Sequence, residues 1–467
     1  MWREERGKWK EEREMRKVER EKRNEESGMR ILRLLSWKKL VISFLFPLSS
    51  FLYFDNANAQ TVMDLIREKP QYASCNYNTY PDTIKAVLTP APAGKKPFYM
   101  SHYGRHGSRY ISSRTGYDTP YDMMNHADSV DELTPTGRRV LEEMRLVMDD
   151  TEKRWGELTS YGKQQHRQIA RRMVERFPEI FCKGARVNAI STTVPRCMES
   201  MGTAMIEMLQ VNPDLNITMD ASKRTMWYLN HQDKKLRKYM TKEAQKAYDA
   251  YTEGLLGNSR LMELIFKNPD IVKEIVEEGM FNYYLMKMGL FQSNTHLYQN
   301  TYLQDLFLTE ELYRMWQIDN ALWYIQCGGY KVNGGKQPYS QRFLLRQIIA
   351  DADSCFQLAN PGAQLRYGHE TCLLPLACLM GINGLDYETD NFEELEEKGW
   401  WCSSVFPMGS NIQMVFYRKD IKDQDVLVKV LLNEEEASLP FETDCAPYYH
   451  WKDFKAYYLN KLDAYKE

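Results

Sequence analysis

The sequence predicts an α/β protein: a mostly parallel central sheet with helices on both faces, interrupted by an inserted α-helical domain. Three observations carry that reading. Short apolar segments rich in β-formers, at 96–103, 185–193 and 216–222, alternate with stretches of helical periodicity. The alternation stops near 224, where the chain turns helical and rich in Tyr, Met, Leu and Lys. It returns after 345. Strands alternating with helices imply a sheet covered on both faces. The divisions are 1–59, a charged leader and signal peptide; 60–223, the first part of the α/β domain; 224–345, the α insert; and 346–467, the second part.

The 467 residues carry 62 Lys+Arg against 64 Asp+Glu, net −2, with 43% hydrophobic and 12% aromatic residues. That is enough to bury a large core, which argues against a mainly disordered chain. A near-neutral balance argues against a dedicated nucleic-acid binder. A single long apolar run excludes a multi-spanning membrane protein.

Taken in order, residues 1–28 hold 10 Lys/Arg and 9 Glu. After Met29 come the basic Arg30, Arg33, Lys38 and Lys39, an apolar run from Leu40 to Phe54, and the small-x-small site Ala57-Asn58-Ala59. This is the pattern of a secretory signal peptide from about Met29 to Ala59, with residues 1–28 read as preceding the true start. Cleavage after Ala59 removes 14 basic and 10 acidic residues and leaves 408 residues, net −6. The expected location is secreted or periplasmic, without stable membrane insertion after cleavage. Nine cysteines would then meet oxidising conditions. Their number is odd, no CxxC occurs, and their pairing is not readable.

Residues 60–96 end in Pro81, Pro90, Pro92 and Pro97 and read as a wrap onto the core. The strand at 96–103 runs into Gly104-Arg105-His106-Gly107-Ser108-Arg109-Tyr110, with polar turn residues after it. Helical periodicity covers 129–153 and 163–177, with Thr159 or Ser160 placed to cap the second helix. The strand at 185–193 enters a helix at Pro195. Past the insert, 363–369 is a strand, Glu370 to Gly381 a helix, and 411–419 and 426–433 two paired strands.

The chemistry gathers where strands meet helices. Arg105 and Arg109 flank His106 just past one strand end, and carboxyl ends of strands are where open α/β sheets bind ligands. Guanidinium forks match tetrahedral oxyanions, so a phosphate held there would face the imidazole. Arg196 lies at a second junction, in Ser191-Thr192-Thr193-Val194-Pro195-Arg196. His369 and Glu370 lie at a third, where a helix N-terminus favours an anion and a carboxyl can titrate. Each cluster alone is also met as a basic surface turn or a structural histidine; their occurrence together, in this order, is specific.

RHGSR, GELTSYG, STTVPRCMES and RYGHET together resemble the histidine phosphatase superfamily, in its acid phosphatase/phytase branch. The Tyr after the second Arg, GHETCLLPLACLMG and the ending SNIQMVFYRKD…VLVKVLLNE resemble bacterial members of the multiple inositol polyphosphate phosphatase group. The resemblance covers roughly 97–435. It implies a histidine phosphatase-like fold, His106 as the nucleophile that becomes phosphohistidine, and Glu370 as the proton donor. Arg105, Arg109, Arg196 and His369 would hold the phosphoryl group. Two departures stand out. Ile111 replaces the proline of RHGxRxP, and HET replaces HD or HAE, with Thr371 at the place of the HAE carboxylate.

These roles imply a phosphomonoesterase that needs no cofactor, and the cysteines and histidines are not spaced as metal ligands. The expected partner is a small phosphorylated substrate, an inositol polyphosphate such as phytate, and the expected state is a monomer that binds no nucleic acid. Ser112, Ser113 and Arg114 after the first motif, and Lys223 and Arg224 at the start of the insert, are candidate contacts to further phosphates. A broad acid phosphatase or sugar-phosphatase, and a non-catalytic phosphate-binding protein, are the alternatives.

Overall fold

β1, Lys96–Arg105, is the axis of the fold. The computed structural model describes residues 60–466 apart from 275 and 300. The leader and signal peptide expected at 1–59 lie outside the described residues. β2 is Arg186–Ser191, β3 Asn216–Asp220, β4 Gly362–Gly368, β5 Asn411–Arg418, β6 Leu427–Leu432 and β7 Tyr448–His450. They order as β7-β6-β5-β1-β4-β2-β3, with the two-residue strand Glu435–Glu436 paired to β6. β1, β4, β2 and β3 run parallel, whereas β5, β6 and β7 continue the sheet antiparallel beyond β1. The sheet is thus mixed. The connection 419–426 between β5 and β6 is too short for the crossover that a parallel pair needs.

The helices used below are α1 Val62–Glu68, α2 Thr115–Ser129, α3 Pro135–Thr151, α4 Ser160–Arg176 and α5 Pro195–Val211. They continue with α6 Lys242–Thr252, α7 Glu278–Phe291, α8 Thr309–Cys327, α9 Arg342–Cys355, α10 Glu370–Met380 and α11 Trp451–Ala464. Side chains alternate along β1, as the pleat requires. Tyr99 and Tyr103 join one core with Ile412, Met414 and Phe416 of β5. Met100 joins the other with Val187, Ala189, Leu365 and Tyr367, under α4 and α5. Between β3 and β4 the regular elements of the described chain are helices, apart from Gly329–Tyr330, which pairs with Glu388–Thr389. Phe281, Leu285, Leu312 and Trp316 of that segment enter the same core as Tyr99, Met414 and Leu373.

Two local expectations change. The polar turn expected after Tyr110 contains α2, whose first residue lacks a capping side chain and which holds Pro120 inside. Local signals for a helix are therefore weak there. Packing supplies what propensity does not: Tyr117, Pro120, Met124 and Ala127 are buried, with Tyr117 edge-on to Phe291 of α7 at 5.9 Å between ring centroids. The helix expected at 129–153 begins only at Pro135, where Thr134 accepts a bond from the Gly137 N–H. Thr159 caps α4 in the same way, through the Gly162 N–H.

The 60–96 segment is more ordered than a wrap. Thr61 and Asp64 form a capping box on α1, and Pro70–Tyr77 is a run of 3-10 turns. A disulfide, Cys75–Cys402, ties that run to the turn before β5. No helix among the described residues is long and apolar enough to cross a membrane.

Candidate active site

Register brings the three sequence clusters together. In the parallel ladders Arg105 stands opposite Gly368 and Ser191 opposite Tyr367. Three strand-to-helix loops therefore leave one edge of the sheet side by side. The 106–110 loop is clamped by the GELTSYG segment. Gly107 and Gly162 pack backbone to backbone, and a Cβ on Gly107 would collide with the Gly162 carbonyl. The Thr159 N–H donates to the Ser108 carbonyl at 2.9 Å, and the Ser108 N–H donates to Gln165 Oε1 at 2.8 Å. Ser108 Oγ donates in turn to Asn294 Oδ1 at 2.7 Å.

His106 is fully buried, and its Nδ1 lies 2.9 Å from the Gly107 carbonyl. A carbonyl only accepts, so the proton sits on Nδ1 and the Nε2 lone pair faces the site. Burial holds this imidazole well below its ordinary pKa, against the pull of Glu370, and so keeps it neutral. Glu370 Oε2 lies 3.2 Å from that Nε2 and 3.4 Å from Arg105 Nε, and Oε1 lies 3.3 Å from Arg109 Nη2. Burial alone would raise the Glu370 pKa, but the Arg105 and Arg109 guanidiniums outweigh it and hold the carboxyl well below the usual range. His106 Nε2 and Glu370 Oε2 have no hydrogen-bond partner among the described residues.

The guanidiniums are anchored from behind. Arg105 is fully buried and donates to the carbonyls of Phe406 at 2.6 Å and Asn76 at 2.8 Å, leaving Nε toward the site. Burial pushes its pKa down to about 10, so it stays charged at neutral pH. Arg109 donates to the Tyr77 hydroxyl and to the Tyr110 carbonyl, both at 3.0 Å. Burial opposes its charge, but Tyr77 and Glu370 raise its pKa overall. Arg196 is half-buried and donates to the Gly156 carbonyl at 3.4 Å. Burial and the nearby Arg109 lower its pKa. His369 precedes α10, its Nε2 3.2 Å from Thr192 Oγ1, and its ring centroid lies 5.8 Å from that of His106. Burial pushes its pKa down to about 4.

The structure thus assembles Arg105, His106, Arg109, His369 and Glu370, with Arg196 at the edge. The more distant candidates are placed differently. Ser112 lies beside Gly156, which also receives Arg196. Ser113 accepts from the Thr115 N–H, and the exposed Arg114 pairs with Asp118 at 2.6 Å. Lys223 and Arg224 are exposed on the turn before the short helix Met226–Leu229, where the Arg224 N–H donates to Ser222. Sequence reasoning missed Asn76 and Tyr77, and singled out the Thr192 cluster without giving Thr192 a role; all three orient the site. Asn76 and Tyr77 come from a segment with no charged residue to announce it. Donor atoms of His106, His369 and Glu370 lie within 4.8 Å of one another, close enough to bridge a cation. Three guanidiniums around them instead set the field for an anion.

Buried guanidiniums aimed at one point, beside an imidazole with a fixed lone pair and a carboxyl, define an enzyme site built for a transferable oxyanion. Residues 104–433 match the family described as the histidine phosphatase superfamily (branch 2), and the chain belongs to that superfamily and is a phosphatase. It is 23% identical over 334 residues to human multiple inositol polyphosphate phosphatase 1, covering 66% of this chain and 67% of that protein. The multiple inositol polyphosphate phosphatase of Bifidobacterium longum, in complex with inositol hexasulfate, shares the fold with a TM-score of 0.64 at 17% identity, covering 82% of this chain and 97% of that one. The phytase of D. castellii does so with a TM-score of 0.62 at 13% identity, over 89% and 90% of the two chains.

Proposed function

We propose that this chain is a secreted, metal-independent phosphomonoesterase that hydrolyses inositol polyphosphates such as phytate through a phosphohistidine intermediate. One observation carries the mechanism: the bond from His106 Nδ1 to the Gly107 carbonyl directs a neutral Nε2 lone pair into a cradle of buried guanidiniums. A substrate phosphoryl group would take Arg105, Arg109, Arg196 and His369 as donors to its oxygens. Nε2 then attacks phosphorus as the ester P–O bond breaks, and the leaving oxygen takes a proton from the Glu370 carboxyl. In the second half Glu370 accepts a proton from water as that water attacks phosphorus. The N–P bond breaks, inorganic phosphate leaves, and His106 regains its neutral lone pair.

The relatives' names support the substrate: multiple inositol polyphosphate phosphatases and a phytase, one of them in complex with an inositol hexasulfate. The signal pattern and the Cys75–Cys402 disulfide support an oxidising, extracytoplasmic location. The test is rapid quenching with labelled phytate. An alkali-stable, acid-labile phosphoprotein is expected, absent in His106→Ala, whose fold should persist. Near-normal turnover by His106→Ala would overturn the mechanism. Comparing phytate with glucose phosphate and an aryl phosphate separates the inositol reading from a broad acid or sugar-phosphatase. Mass spectrometry of the mature N-terminus tests secretion, with Gln60 expected as the first residue.

A further inference from the structure

A second cluster of metal-type donors lies at the far end of the sheet from the phosphate cradle. Asp444 and Cys445 belong to the segment before β7, and His450 ends that strand. One donor atom from each, Cys445 Sγ, His450 Nε2 and an Asp444 carboxylate oxygen, lies within 4.8 Å of the others. Asp425, in the connection between β5 and β6, meets the other nitrogen of His450 and pairs with Lys95 at 3.2 Å. Lys95 directly precedes β1, whose other end carries Arg105. Those ten strand residues put about 33 Å between the cluster and the nucleophile loop.

The His450 imidazole is held between two carboxylates. Its Nδ1 lies 2.6 Å from Asp425 Oδ1 and its Nε2 2.9 Å from Asp444 Oδ1. A carboxylate only accepts, so each nitrogen must offer it either a hydrogen or a cation held in common. An Nδ1–H donated to a carboxylate is the support that metal-binding histidines have, and it leaves the Nε2 lone pair free to bind. A proton on Nε2 would serve Asp444 alone. The thiol adds a soft third donor to the same point: Cys445 Sγ lies 3.9 Å from Nε2, and it also meets the Thr443 hydroxyl at 3.3 Å and the Tyr448 carbonyl at 3.4 Å. Zinc bonds of about 2.0–2.3 Å in a tetrahedron set ligand atoms about 3.4–3.6 Å apart. The separations of 3.9 Å and 2.9 Å fall on either side of that range. An ion can reach all three groups from solvent: the Asp444 side chain is 81% exposed and that of His450 23%, and Cys445 is half-buried.

We propose that Asp444, Cys445 and His450 form a structural zinc site, with Asp425 orienting the histidine and water completing the tetrahedron. Thiolate, imidazole and carboxylate together suit zinc, whereas calcium and magnesium take oxygen ligands. Binding releases the Cys445 thiol proton, and any proton on His450 Nε2, to solvent. The ion pins the short edge strand β7 and the start of α11 to the β5–β6 connection, through His450 and its bond to Asp425. It takes no part in the phosphate chemistry, so the catalytic reading stands or falls apart from it.

The test titrates zinc, and separately cobalt(II), into metal-free wild type, Cys445→Ser, Asp444→Asn and Asp425→Asn. Wild type should take up zinc, melt at a higher temperature with it, and show with cobalt the near-ultraviolet charge-transfer band of a metal-bound thiolate. Cys445→Ser should lose both the band and the rise in melting temperature, and keep wild-type turnover. Asp425→Asn, which removes the support of the histidine, should bind zinc about 10- to 100-fold more weakly. Should Cys445→Ser fail to fold, Asp444→Asn, at an exposed side chain, carries the comparison through its loss of zinc affinity. No thiolate band in wild type, or a band that survives Cys445→Ser, overturns the site. Zinc uptake unchanged in Cys445→Ser and abolished in His106→Ala would place the ion in the phosphate cradle and overturn it too. So would peptide mapping that finds Cys445 in a disulfide.

Discussion

Glu370 occupies the place its substrate must take. Its oxygens lie 3.2–3.4 Å from His106 Nε2, Arg105 Nε and Arg109 Nη2. Those are the donors and the lone pair that a phosphoryl group needs. Held well below the usual carboxylate range, Glu370 is ionised in the free protein and has no proton to give. It becomes an acid only once a bound phosphate has taken its guanidiniums and displaced it. Glu370→Gln should therefore split two properties. Turnover of alkyl phosphates should fall by about 10²- to 10⁴-fold, the loss of a positioned acid. Orthovanadate, measured as a competitive inhibitor, should bind more tightly, because a neutral amide competes less for Arg105 and Arg109. Weaker vanadate binding would show that the carboxylate does not obstruct the cradle. The pH profile follows from the histidines. Burial lowers the His106 pKa well below its ordinary value and that of His369 to about 4. Both therefore stay neutral as pH falls from 7 through the ordinary imidazole range, His369 until about pH 4. The acid limb of kcat/KM, which reports the free enzyme, should thus lie well below an unperturbed imidazole's ~6.5.

At the scale of elements, the strand-end clusters were legible because charge and glycine punctuate them. The supports were not. Pro70–Tyr77 carries no charge, yet its Asn76 carbonyl receives Arg105 and its Tyr77 hydroxyl receives Arg109. α2 lacked capping signals and forms through packing against α7. The Cys75–Cys402 bond fixes the 3-10 run and closes a loop of 327 residues. Removing such a bridge typically costs about 2–5 kcal/mol. A Cys75→Ser/Cys402→Ser double variant should melt at a lower temperature. It should also raise KM for every phosphomonoester, since Arg105 and Arg109 lose their backing together. A change in melting alone would confine the disulfide to stability. GELTSYG has a physical reading that its composition did not reveal. Gly162→Ala would drive a methyl into the Ser108 carbonyl, so both activity and melting temperature should fall.

At the scale of the molecule, alternating strand and helix patterns made the α/β class legible, and the resemblance added the superfamily. The pattern could not show how the insert is seated, since an amphipathic helix shows a buried face without showing what covers it. Residues 224–345 read as an inserted domain, yet Phe281, Leu285, Leu312 and Trp316 share one core with Tyr99 of β1, Met414 of β5 and Leu373 of α10. Asn294, from the same segment, holds Ser108 beside the nucleophile. Deleting the insert would strip Phe281, Leu285, Leu312 and Trp316 from that core. Losing a single large core side chain already costs about 2–5 kcal/mol, against a total stability of about 5–15 kcal/mol. A chain with 224–345 replaced by a short Gly/Ser linker should therefore show no cooperative melting transition, measured by circular dichroism. A smaller change separates the insert's two contributions. Asn294→Ala leaves that core intact and removes the Ser108 Oγ acceptor together with the Nδ2 donor to the Tyr77 carbonyl, so it should lower kcat while unfolding stays cooperative. Retained cooperative unfolding of the deletion chain would mean that the α/β part folds without this cover.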